Sequence, residues 1–142
     1  MTYVPQRLTA AEVRAAGIKA YDEKRLTAQH EHWGARMCVY EQEVGCNCVI
    51  GSALSPEAIA KIHELGLNDG SSVDELGEVI VVDSEDDQVA LCDAQRRHDE
   101  WADAEYHVGN PSTPAEDLLK WKEKAGVRRI HFLQWLGHPE AA

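Results

Sequence analysis

The sequence predicts a single α+β domain over residues 1–142, with a small antiparallel sheet (a hairpin plus one strand) packed against four to five helices. Three observations predict it. Residues 36–41 and 44–50 are short apolar runs rich in Val, Tyr and Cys, parted by Glu41-Gln42-Glu43, which is the pattern of a β-hairpin. Residues 78–82, Glu78-Val79-Ile80-Val81-Val82, form a β-branched run that suits a third strand. Around these lie several helix-start signals, and a chain of this length buries about two-thirds of its unfolded surface in one core.

The first helix starts at Thr9-Ala10-Ala11-Glu12, a capping box in which the Thr hydroxyl and the Glu carboxylate satisfy orphan amides. Val13, Ala16 or Gly17, Ala20 and Tyr21 follow at helical spacing, and the helix ends within Asp22–Leu26 or runs on towards His30. After the hairpin, Gly51 releases the strand. Ser55 then caps a helix with Pro56 at its first position, which stops at Gly66. Asn68 to Ser72 is turn chemistry.

Ser84 caps the longest helix, whose first turn holds Glu85, Asp86 and Asp87 where the helix dipole favours negative charge; it is predicted to reach Glu105. Leu91, Ala94, His98 and Trp101 share one stripe. A loop at 106–113 leads to Thr113-Pro114-Ala115-Glu116, which starts a helix expected to stop at Gly126. Residues 130–136 could form a last helix or a strand, and the spacing of Ile130, Leu133 and Leu136 favours the helix. The core candidates are Trp33, Tyr40, Ile50, Leu54, Ile59, Ile62, Leu91, Trp101, Leu118 and Trp121.

The net charge of −11 is concentrated: residues 74–105 carry twelve acidic side chains against Arg96 and Arg97. Such a surface repels phosphate backbones and disfavours direct nucleic-acid binding. The basic residues Lys120, Lys122, Lys124, Arg128 and Arg129 read as a solvated helix face. No run is apolar and long enough to span a membrane, and the N-terminus lacks a secretory pattern. The expected location is therefore the cytoplasm, with reduced thiols.

RMCVYEQ, GCNCVIGSALSPEA and LCDAQRRHDEW together resemble a family of small uncharacterised phage and prophage proteins. That family has Arg-Cys-x-Tyr, Cys-x-Ile-Gly-x-Leu and Leu-x-x-x-Gln-x-x-His-Asp elements. The matching positions are Cys38, Tyr40, Cys48, Ile50, Gly51, Leu54, Leu91, Gln95, His98 and Asp99, with Arg36 offset by one residue and Cys46 additional. The resemblance covers residues 26–101 and implies a mobile-element origin in a bacterial host cell, and no particular chemistry.

Three candidate sites follow. Cys38, Cys46 and Cys48 with His32, or His30, could bind zinc, but the spacing lacks a Cys-x-x-Cys knuckle; buried thiols acting as small hydrophobes are the preferred reading, with no cofactor. Cys48 could serve as a nucleophile with His98 as base and Asp99 or another carboxylate orienting the ring, giving a small hydrolase. However, adjacent residues on a helix diverge by about 100°, so His98 is read as packing against Leu91, Ala94 and Trp101. Ser52 lacks a nucleophile-elbow frame and belongs to a loop.

The preferred site is the acidic surface formed by Asp83, Glu85, Asp86, Asp87, Asp93, Glu100, Asp103 and Glu105. It would make the chain a non-enzymatic accessory protein that docks on a protein with a basic groove, such as a host nuclease or defence factor.

Overall fold

The computed structural model describes residues 2–29, 40, 48–68 and 71–141. In chain order the regular elements are β1 (Gln6–Arg7), α1 (Ala10–Asp22), α2 (Pro56–Glu64), β2 (Ile80–Val81), α3 (Glu85–Gly109) and α4 (Ala115–Leu136), with single 3-10 turns between and after them. The fold is mainly helical.

This corrects the expected α+β architecture. Among the described residues the sheet has two strands, and they are parallel: Gln6 pairs with Ile80 and Arg7 with Val81. Gln6 N–H donates to the Val79 carbonyl and Leu8 N–H to the Val81 carbonyl, both at 3.0 Å. The 78–82 run therefore does hold a strand, but its partner is an N-terminal segment too short to show any alternation. Most of the expected hairpin, 36–39 and 41–47, lies outside the described residues. Its last residues are not a strand. Val49 and Ile50 form a turn leading into Gly51–Ala53, with Ser52 N–H donating to the Cys48 carbonyl and Ala53 N–H to that of Ile50. A short continuous apolar run fits a buried turn as well as a buried strand.

The helix starts are set locally. Thr9 accepts from the Glu12 amide, Ser55 from that of Ala58 and Ser84 from that of Asp87. α1 ends at Asp22, and Lys24 then takes a left-handed φ of 58° that turns the chain away. α3 runs four residues past the expected Glu105, so the connection to α4 begins at Asn110 rather than at 106. α4 passes straight through Gly126 and includes 130–136, ending at Gly137 with φ 76°. A Cβ at Gly126 would meet nothing within 4 Å, so this glycine lies on an open face. Its propensity cost of about 1 kcal/mol is outweighed by the burial of Ala125, Phe132, Leu133, Trp135 and Leu136 along the same helix.

α3 and α4 form an antiparallel pair. Arg97 donates to the His131 carbonyl, Arg128 to the Glu100 carbonyl, and His107 stacks on Trp121. α1 lies against the end of this pair. A Cβ on Gly17 would stand 2.6 Å from Leu136 Cδ2 and 3.1 Å from Val49 Cγ2, so any larger residue would force these buried side chains to shift. Arg14 donates to the Trp135 carbonyl at 2.9 Å and lies over its ring.

The core gathers Leu8, Val13, Leu26, Tyr40, Ile50, Ile62, Leu91, Phe132 and others. Among the expected core residues, Tyr40, Ile50, Leu54, Ile59, Ile62, Leu91 and Trp101 are buried. Leu118 and Trp121 are half-buried, because they lie on the half of α4 that extends past the core, and Trp33 is outside the described residues.

Candidate interaction groove

α3 presents different chemistry on its different faces, and its neighbours decide what each one becomes. Its inner stripe holds Leu91, Ala94, Gln95, His98, Trp101 and Ala102, all buried. Gln95 is the polar centre of this stripe. Its Oε1 accepts from the Val73 amide at 2.9 Å, and its Nε2 donates to the Ser71 carbonyl at 3.2 Å and the Tyr40 hydroxyl at 3.3 Å. These bonds anchor the Val73–Glu75 turn against α3. Burial pushes the Tyr40 phenol well above its ordinary range, so it stays neutral and bonded to the Ser71 carbonyl.

His98 packs against both Trp101 and Phe132, with ring centroids 6.0 and 5.1 Å away, and those two rings stack on each other at 5.6 Å. Its Nδ1 accepts from the Val49 amide at 3.3 Å. Its Nε2 is buried with no hydrogen-bond partner among the described residues, and burial lowers the imidazole pKa to about 3. The structure thus brings His98 beside the Cys48 segment, with its Nδ1 bound to the main chain of Val49. Cys48 is wholly buried and disulfide-bonded, which corrects the expectation of reduced thiols; its Sγ also accepts from the Gly51 amide at 3.4 Å. Neutral, buried and bound to the backbone, His98 acts as a packing residue. Cys92 is a free thiol.

For the zinc reading, Cys38, Cys46, His30 and His32 lie outside the described residues. Among the described residues, no group of three or more His, Cys, Asp or Glu side chains is placed to hold a metal ion. Ser52 donates to the Val49 carbonyl, as a loop residue would. No helix among the described residues is long and apolar enough to cross a membrane.

The eight acidic candidates do not form one uncommitted surface. Asp83 pairs with Arg7 at 2.6 Å, and Asp87 accepts from the Ala10 amide at the start of α1. Asp93 pairs with Arg96 and Arg97, Glu100 with Arg96, and Glu105 accepts from the Trp101 indole. Asp103 lies 3.6 Å from both His107 and Arg128. Glu85 and Asp86 are exposed in the first turn of α3.

A different concentration of charge appears where α3, α4 and the Val73–Glu75 turn meet. There an open groove of about 520 Å³ is lined by Asp74, Asp99, Glu100 and Asp103 together with Arg96 and Arg128. Cys92 sits at its edge, its Sγ 3.6 Å from Asp74 Oδ1, and burial followed by that carboxylate pushes the thiol pKa up. Burial, with a smaller contribution from Glu100, raises the Asp99 carboxyl to about 7. Glu100 and Asp103 are the two expected acidic residues that the groove includes; Asp74 and Asp99 were not assigned to the surface. The signal for Asp99 was present, since Cys92, Arg96, Asp99 and Asp103 recur at i, i+4, i+7 and i+11, a second helical stripe beside the apolar one.

Comparison with known proteins gives no match to a family model, to a curated protein or to a solved structure. The functional reading therefore rests on the groove and its chemistry.

Proposed function

We propose that this chain works without catalysis, by binding a protein partner that presents basic side chains to the groove on α3. The observation that supports the reading is the concavity itself. Four carboxylates face a shared space while two arginines hold the walls in place. A cleft lined by one dominant sign of charge focuses its field and favours fast, salt-sensitive association. The resemblance to uncharacterised phage and prophage proteins implies a mobile-element origin, which makes a host protein one class of partner. In this reading the interacting carboxylates are those that line the groove, and Glu85 and Asp86, which do not line it, contribute little.

The test is a binding assay on a partner captured at low ionic strength. Affinity should fall steeply as salt rises, and Glu100→Lys should weaken binding at least tenfold while Glu85→Lys leaves it within twofold. An affinity that is flat with salt, or the opposite ranking of the two variants, overturns the proposal.

A further inference from the structure

Within the groove the carboxylates are unequal. Glu100 is held by Arg96 at 3.1 Å, and Asp74 accepts from the Gln88 amide at 2.8 Å and faces the Cys92 thiol. Asp103 faces Arg128 and His107. No described residue donates a hydrogen bond to Asp99 or forms an ion pair with it, although Asp74, Arg96, Glu100, Asp103 and Arg128 line the same groove. The nearby guanidinium groups are committed elsewhere: Arg96 divides between Asp93 and Glu100, and Arg128 donates to the Glu100 carbonyl at 3.1 Å. The groove therefore holds one carboxylate that has lost part of its water and gained no partner among the described residues.

We infer that Asp99 is the anchor of this groove and that it captures a single arginine side chain of the protein partner, a reading that rests on the groove being the binding surface. A guanidinium suits the position better than an ammonium. It is more weakly hydrated, so it loses less on entering a half-buried site, and its planar fork can engage the free carboxylate with two parallel bonds. Charge complementarity favours such a cation, since the groove-facing groups are Asp74 from the turn, Cys92, Arg96, Asp99, Glu100 and Asp103 from α3, and Arg128 from α4, a surplus of carboxylates. The elevated carboxyl pKa fits the same geometry. A group that waits without a counter-ion holds its proton to near neutrality, and an arriving guanidinium should displace it.

The experiment is an NMR titration of the whole chain with N-acetyl-arginine amide and, separately, N-acetyl-lysine amide. The arginine probe should produce saturable shifts at the amides of Asp74, Gln95, Asp99 and Asp103, with the lysine probe several-fold weaker. Asp99→Asn, which keeps the side-chain shape and removes only charge, should weaken the response at least tenfold. In the wild-type chain the Asp99 carboxyl midpoint, followed by ¹³C shift, should fall by a unit or more on saturation. Equal responses from wild type and Asp99→Asn, equal affinity for both probes, or an unmoved midpoint would overturn the inference. Failure is separable from failure of the binding role. Loss of the arginine response with salt-sensitive partner capture intact removes Asp99 as anchor alone, whereas an arginine response with no salt-sensitive partner removes the wider proposal.

Discussion

His98 and Asp99, adjacent on α3, point into opposite environments and titrate in opposite directions. The imidazole is buried against Phe132 and accepts from Val49, with its pKa lowered to about 3, while the carboxyl faces the groove with its pKa raised to about 7. The helical step between them puts one residue in the core and the other at a charged surface.

Their effects on stability oppose each other. The lowered His98 pKa means its contribution is fully present above the unfolded value of 6.5 and is lost as pH falls towards about 3. The raised Asp99 pKa means its contribution is present below the unfolded value of 3.8 and is lost as pH rises through about 7. Between about pH 4 and 6.5 the wild-type chain should therefore show a shallow profile in urea unfolding. Asp99→Asn should leave stability rising with pH, and His98→Gln should leave it falling. The slope for one proton is at most about 1.4 kcal/mol per pH unit, with the Asp99 share reduced by its partial exposure. Identical slopes in both variants would contradict the assignment.

Gln95→Leu keeps the side-chain bulk but removes three hydrogen bonds, leaving the Val73 amide and the Ser71 carbonyl without that partner. A loss of about 2–4 kcal/mol is expected from the stranded buried groups. Hydrogen exchange should accelerate first in the Val73–Glu75 turn, which Gln95 pins. Uniform acceleration across the chain would show that Gln95 does not act locally.

Gly17→Ala brings a methyl group against Leu136 and Val49, and the gain in helix propensity, about 1 kcal/mol, does not offset the clash. The net expectation is destabilisation by about 1–2 kcal/mol. In a Leu136→Ala background the same substitution should become neutral or stabilising, because the space that the methyl needs is then open. Additive effects in the double variant would mean that the contact does not limit the α1–α4 approach.

Gly126→Ala should have the opposite sign. The position is helical, has an ordinary φ and faces open space, so the alanine should stabilise α4 by about 0.5–1 kcal/mol. A rise in the midpoint of thermal unfolding with no change in groove binding is the expected result. A loss of stability would mean that the helix bends at this residue.

Much of the helical layout was legible because its signals are local. Thr9, Ser55 and Ser84 each sit within three residues of the amide they cap, and Gly66 and Gly137 adopt the left-handed conformation that a helix end requires. The inner stripe of α3, including the packing of His98 beside Trp101, also followed from period and chemistry. Gly126 misled because a glycine marks a helix end only where the backbone must turn, and its surroundings in α4 keep it helical.

By itself, the sequence determined where helices begin, which face of α3 turns inward and where negative charge accumulates, since each depends on residues within a turn or two of one another. The tertiary structure alone decided the parallel pairing of Gln6–Arg7 with Ile80–Val81 and the disulfide at Cys48. It also decided which carboxylates are spent on internal partners. Asp83 is met by Arg7, Asp87 by the start of α1 and Asp103 by Arg128, while Asp99 receives no partner among the described residues. The physical reason is that a side chain's charge is written in the chain, whereas its desolvation and its counter-ion come from segments dozens of residues away.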